Sequence, residues 1–399
     1  MESIKKAENS DFDYSELLED DLELLDLDNK ISTEEVDYTS IDVKHWLLDT
    51  KVLKDKLSPL QNILIRSGNI KDKSVFIQKE NNDLLFMFNV NQIEGIIRIP
   101  LLNTDNQCEE EFTIDYFKFM IAVNNSESKV LIKNNKPSEM VIEVYKGDIE
   151  FDNYRLNKSM FINEDKVEKE QNINTSTFLQ FIKNVISTEK LAQRPVEKMV
   201  RVESDKAYSY YALSVVRYFN LDFSDISFRL LDLNFILKIF NNHILDKDIL
   251  LKHTDKNFVL ELDGILVKVP KVRTNNLETL KNIFNNMSVV SEFEIDTLMF
   301  FKKLNLIKSL NSSDTKLNIF VENNNLKVTG KTKTNKEFNY ILSENVPTNT
   351  KINTILPVDV ILKSYGSFKL NTKITIKSLS NNKFSLSNAD LEITFGGLI

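Results

Sequence analysis

The residues of this chain that could do chemistry are few, and their spacing decides what they can do. A histidine metal site needs ligands one helical turn or one strand step apart, as in an HExxH pair. His45, His243 and His253 are the only histidines and have no such spacing, so they read as surface or packing residues. Cys108 stands alone, which excludes an intramolecular disulfide and a cysteine zinc site. The eight glycines, at 68, 95, 147, 264, 330, 366, 396 and 397, form neither GxxxxGK[ST] nor GxGxxG, so no phosphate-cradling loop is present. Carboxylates are plentiful, yet no pair sits in a recognisable acid/base context. The chain reads as a non-enzyme with no cofactor and no metal.

What remains is charge. The net charge is −8, but residues 1–40 hold fourteen Asp/Glu against three Lys, a net −11 that leaves +3 on the rest. The acidity belongs to a tail, and the body can meet a polyanion without large repulsion. Residues 1–40 alternate acidic and apolar residues without a core-forming pattern and read as a disordered acidic tail. Hydrophobic residues at 42 % and charged residues at 28 % are ordinary for a soluble globular protein. No apolar run is long enough to span a bilayer and no signal peptide is legible, so a cytoplasmic setting without membrane attachment is expected. The wealth of Asn, Lys and Ile suggests an AT-rich genome, that of a bacterium or a bacteriophage in an infected host.

The elements that position these residues come in three similar sets. A one-sided helix pattern occurs at 43–57, 175–188 and 294–310. Alternating strand patterns follow each, then a shorter helix at 114–123, 231–240 and 357–365, then two more strands. The unit is about 120 residues long, which points to duplicated domains instead of a solenoid with its period of about 20–50 residues. The reading is an α+β chain with a tail at 1–40 and domains at 41–165, 170–286 and 290–399. NEDKVEKEQN (163–172) and TNNLETLKNIFNN (274–286) are the natural linkers.

Residues 42–399 resemble the bacterial DNA sliding clamp, the beta subunit of the replicative polymerase. The third repeat carries the likeness best, in FVENNNLKVTGKTKTNKEFNYIL, KINTILPVDVILKSY and SLSNADLEITFGGLI; the first adds EFTIDYFKFMIAV and MVIEVYKGDIEFDNYRL. In the second, YYALSVVRYFN stands where the family reads roughly A-T-D-G-H-R-L, and only Ala212 and Arg217 are retained. The resemblance implies three tandem clamp domains with helices lining a central hole and sheets outside, and a head-to-tail homodimer closing the ring. It implies a processivity factor that encircles double-stranded DNA without reading sequence and holds a DNA polymerase and a clamp loader through short peptide motifs. Phosphate contacts without base information suffice for that task.

Carried onto this chain, the DNA-facing candidates are Lys44, Lys51, Lys54 and Lys118 in repeat one, Lys183, Lys190 and Lys238 in repeat two, and Lys302, Lys303, Lys308 and Lys363 in repeat three. The partner-peptide pocket maps to Leu213, Val215, Arg217 and Tyr218, with Phe395, Gly397, Leu398 and Ile399 from the C-terminus. In the tail, Leu24-Leu25-Asp26-Leu27 resembles the core of a clamp-binding peptide. The tail admits four readings: a pocket ligand, a DNA mimic, a solubilising tail, or a dock for a partner. The competing function is a clamp-fold accessory subunit of a viral DNA or RNA polymerase that does not encircle DNA.

Overall fold

The computed structural model of the protein describes residues 44–104, 107, 111–136, 139–144, 147–154, 156–163, 165–192, 198–241, 247–272, 286–310, 316–331, 334, 336–369 and 372–396. The expected tail, His243, Gly397, Leu398, Ile399 and most of the segment 274–286 lie outside these residues. From Lys44 onward the described residues belong to one compact unit.

Seven α-helices occur among the described residues: α1 (Thr50–Leu57), α2 (Ile70–Lys73), α3 (Tyr116–Asn124), α4 (Thr175–Ser187), α5 (Leu230–Phe240), α6 (Thr297–Leu310) and α7 (Val358–Lys363). The first helix of each repeat starts the same way. A strand ends on Asp49, Asn174 or Asp296, and that side chain accepts a backbone N–H three residues on: Val52 at 2.9 Å, Thr177 at 3.0 Å, Met299 at 2.7 Å. Each cap satisfies an N–H that the helix itself leaves unpaired. A buried threonine (Thr50, Thr175, Thr297) follows each cap. The helices expected at 43–57 and 294–310 are therefore shorter, because His45–Asp49 and Val289–Asp296 are strands. A short apolar run such as Trp46-Leu47-Leu48 suits either element, and pairing with Lys129–Lys136 decides it.

The strands form two eight-stranded and two four-stranded antiparallel sheets. In spatial order, the first large sheet is Phe112–Asp115, Ser74–Glu80, Asp83–Val90, Ile93–Pro100, Ile265–Pro270, Asn257–Leu262, Asp248–Thr254 and Val167–Asn174. The second is Ile226–Arg229, Met199–Glu203, Lys206–Tyr211, Ser214–Tyr218, Leu391–Phe395, Phe384–Ser387, Lys373–Leu379 and Val289–Asp296. The small sheets are His45–Asp49, Lys129–Lys136, Glu139–Val144, Gly147–Asp152, and Glu337–Ser343, Asn325–Lys331, Lys316–Glu322, Asn353–Pro357. Tight turns with positive φ at both centres, Asn91-Gln92, Asp263-Gly264 and Asn323-Asn324, match the strand twist of two-residue hairpins.

Each large sheet runs through a junction between repeats. At one seam Ile93–Pro100 pairs with Ile265–Pro270; at the other Ser214–Tyr218 pairs with Leu391–Phe395. The segment 163–172, expected as a linker, mostly forms the edge strand Val167–Asn174 beside Asp248–Thr254. Its exposed, charged face gives it no apolar alternation to read.

Helices pack against the sheets through a shared core. Phe178, Leu179, Phe181, Ile182 and Val185 form the buried face of α4 at helical spacing, with Phe223 edge-on to Phe178 and Phe181. Phe88 of repeat one meets Phe235 of α5 across the first seam, and its ring lies over Gly95 so closely that an added Cβ would sit 2.1 Å from it.

Both seams bury a charge on the sheet face away from this core, with opposite polarity. At the first, Lys268 reaches Asp165 at 2.9 Å, Glu94 at 3.2 Å and the Asn163 carbonyl. At the second, Glu392 accepts from the Ser385 hydroxyl at 2.7 Å and pairs with Arg217 and, at 3.5 Å, with Lys377.

Candidate nucleic-acid interface

The helices carry the sequence-predicted lysines, and their partners divide the set. Four are engaged. Lys54 Nζ donates to the Asn124 carbonyl at 3.3 Å and Lys238 Nζ to the Asn62 carbonyl at 3.1 Å. Lys303 Nζ donates to the carbonyls of Ile341 and Leu342 at 3.1 and 3.0 Å, and Lys308 pairs with Asp359 at 2.7 Å. Lys51, Lys118, Lys183, Lys190, Lys302 and Lys363 make no hydrogen bond or ion pair among the described residues, which leaves two per repeat. All but Lys363, which is half-buried, are exposed.

Two placements differ from the expectation. Lys44 precedes the first strand instead of lying on α1, and Lys190 sits in the 3-10 turn Glu189–Leu191 that follows α4. Sequence reasoning passed over Lys56, which reaches the Arg98 and Asp263 carbonyls at 3.4 and 3.1 Å and so ties α1 to the second repeat's last hairpin. It lies two residues from Lys54 and five from Lys51, on another side of α1, so helical spacing gave no signal for it.

The peptide-pocket residues do not converge. Tyr218 is buried in the core, and the Thr188 hydroxyl shares hydrogen bonds with the hydroxyls of Tyr218 at 2.7 Å and Tyr211 at 2.9 Å. Burial raises both phenols above their ordinary range, Tyr218 the further. Phe395 is also in the core, stacked on Phe384 at 5.2 Å. Val215 and Arg217 occupy the other face of the same strand, as its two-residue period requires. There Val215 packs with Tyr208 and Tyr210, and Arg217 pairs with Glu392 and lies 5.0 Å over the Phe219 ring. Leu213, half-buried at the hairpin turn, packs against the core. A single pocket holding all five is therefore excluded by strand parity.

Tyr218 does line a polar cleft of about 290 Å³ at the second seam, with Ser176, Thr177, Gln180 and Asn184 of α4 on one wall and Asn220 and Asp390 on the other. Sequence reasoning missed it because its walls come from separate segments, 176–184, 218–221 and Asp390, that only the fold brings together.

Burial lowers His253, whose ring nitrogen contacts Gln171 at 2.9 Å and whose ring stands edge-on to Phe258. His45 is buried. No group of His, Cys, Asp and Glu with metal-holding geometry occurs among the described residues. No helix among them is long and apolar enough to cross a membrane.

No protein-family model and no curated protein matches this chain. Solved structures do. The beta subunit of DNA polymerase from Streptococcus pyogenes matches with a TM-score of 0.71 at 12 % identity, over 89 % of this chain and 99 % of that one. The DNA polymerase III subunit beta of Pseudomonas aeruginosa gives 0.70 at 12 %, over 89 % and 99 %. The Helicobacter pylori beta clamp bound to a DNA ligase peptide gives 0.68 at 14 %, over 89 % and 100 %. The fold is thus that of a sliding clamp. In particular, it is the fold of the bacterial DNA polymerase III beta subunits, at a sequence distance that leaves the architecture intact and few identities.

Proposed function

We propose that this protein is a DNA sliding clamp, a non-catalytic processivity factor that encircles duplex DNA and tethers a polymerase. The observation that carries the reading is the pair of unengaged lysines on, or directly after, the helices of every repeat of a clamp fold. A sliding surface needs cations that meet phosphates without reading bases, spread around the duplex and not gathered into one docking patch.

Ring closure comes from a head-to-tail homodimer. Among the described residues, the strands Gly147–Asp152 and Glu337–Ser343 each end a four-stranded sheet with no strand paired on one side, Lys303 meeting the Ile341 and Leu342 carbonyls of the second. Unpaired edges invite strand addition. By contrast, the free side of His45–Asp49 is occupied, since Leu102 N–H donates to the Leu47 carbonyl and Asn103 bonds both Leu47 and His45. Exposed apolar residues flank both open edges: Ile121 on α3 in repeat one, and Ile341 with Met299, Leu306 and Leu310 of α6 in repeat three. A surface of that kind fits a partner chain better than water. Two different patches meeting through a rotation that closes give a ring.

Polymerase and clamp-loader peptides dock at the second seam, in the cleft lined by Tyr218, Gln180, Asn220 and Asp390, in place of the scattered residues the resemblance implied.

The test joins mass and topology. Light scattering after size exclusion is expected to give twice the 46.3 kDa chain mass, and the loaded protein is expected to stay on nicked circular DNA and run off linear DNA. A stable monomer with equal retention on both would remove the clamp reading in favour of a non-encircling accessory role.

A further inference from the structure

A second cleft, of about 610 Å³, opens on the helix side of the first seam. Its walls are Ser58, Pro59, Gln61 and Asn62 of the 3-10 turn after α1, Lys183 of α4, and Leu237, Lys238 and Asn241 of α5. None of these residues is acidic. The composition divides by chemistry. Pro59 and Leu237 supply an apolar floor, Gln61, Asn62 and Asn241 supply carboxamides that both donate and accept, and Lys183 and Lys238 supply two cations. The Lys238 ammonium is fixed against the wall by its bond to the Asn62 carbonyl.

We propose that this cleft binds an unpaired nucleotide of single-stranded DNA. A base lies against Leu237 and Pro59, its hydrogen-bonding edge meets the carboxamides, and its phosphate lies between Lys183 and Lys238. Carboxamides match base edges because each offers a donor beside an acceptor, as the edges do. A duplex cannot enter such a hollow: its phosphates lie on a convex cylinder and its Watson–Crick edges are paired, whereas an unpaired base can enter with that edge free. The volume falls within the range of about 300–1,000 Å³ usual for small-ligand clefts. The clamp reading enters only in how a strand reaches the cleft. The site suits a template or primer strand leaving the duplex.

The experiment uses the full chain and measures binding of a labelled single-stranded oligodeoxynucleotide and of the same backbone without bases. The unmodified protein is expected to prefer the strand with bases. Gln61→Ala combined with Asn241→Ala, both exposed positions, is expected to weaken the strand with bases about tenfold, to leave the abasic strand unchanged, and to leave retention on circular duplex DNA unchanged. Equal binding of the two strands by the unmodified protein, or a change within twofold in the double variant, overturns the proposal. Loss of circle retention by the unmodified protein with the base preference intact removes the clamp reading and keeps the nucleotide site.

Discussion

Glu392 shows how much a single side chain carries at a junction. It is almost fully buried, and burial alone would raise its carboxyl; the Ser385 hydrogen bond and the Arg217 and Lys377 charges outweigh that and hold it below the ordinary carboxylate range. Its stabilising contribution is complete above the unfolded glutamate value of about 4.3. It is lost as the pH falls through the depressed folded value, because the unfolded chain takes up the proton first. Glu392→Ala leaves two cations facing each other across the second seam and is expected to cost about 3 kcal/mol, read from urea unfolding at neutral pH. The deficit relative to the unmodified protein is expected to shrink as the pH falls through the folded carboxyl value; a constant deficit would mean that lost packing, not charge, is responsible. Gly95 is the second such residue. Its only role visible here is to give the Phe88 ring room against Phe235, so Gly95→Ala is expected to cost about 1–3 kcal/mol by overpacking, with the denaturant midpoint lowered and the m-value unchanged.

Among the elements, the strand-to-cap-to-helix step recurs three times and was only partly legible. The helical spacing of Phe178, Phe181, Ile182 and Val185 was visible in the sequence and holds. The starts at residues 50 and 297 were not, since the preceding strand residues share the helix's apolar character and only the Asp-Thr pair marks the boundary. Asp296→Ala removes the acceptor for the Met299 N–H and is expected to cost about 1 kcal/mol, measurable as a lowered unfolding midpoint; no change would mean that water replaces the cap fully. Val167–Asn174 was illegible because an exposed edge strand has a ladder to satisfy and little apolar surface to hide. The lysines could be named from the sequence, but their engagement could not. Which ones are held by carbonyls, as Lys303 is by the strand Glu337–Ser343, depends on packing between segments some forty residues apart. The peptide pocket failed on parity: neighbouring residues 217 and 218 point to opposite faces.

Taken as a whole molecule, the repeat length and order were the most legible features, because three helix–strand cycles leave a period that local substitutions do not erase. The electrostatics of the helix side follow at the same scale. If DNA lies against all three helix pairs, changing Lys51, Lys118 and Lys302 to Gln is expected to flatten the slope of log affinity against log salt for a short duplex. The expected loss is about 0.9 per phosphate contact removed. The slope should fall in steps with one, two and three substitutions, and a single residue carrying the whole effect would argue for a local docking patch instead of an encircling surface.

The opposite polarity of the two seams has a consequence for how the chain avoids assembling wrongly. Three repeats of one fold present strand edges of similar shape, and such chains are prone to dock the wrong pair while folding. Here a buried ammonium between Glu94 and Asp165 marks one correct junction, and a buried carboxylate between Arg217 and Lys377 marks the other. In the equivalent register, setting Leu391–Phe395 against Ile93–Pro100 would place Glu392 opposite Ile96, two positions from Glu94 on the same face, and setting Ile265–Pro270 against Ser214–Tyr218 would place Lys268 opposite Val215, two positions from Arg217 on the same face. Each exchange buries a charge away from its partners and diagonal to a like charge, so the proofreading of repeat order is written into the same side chains that hold the finished junctions.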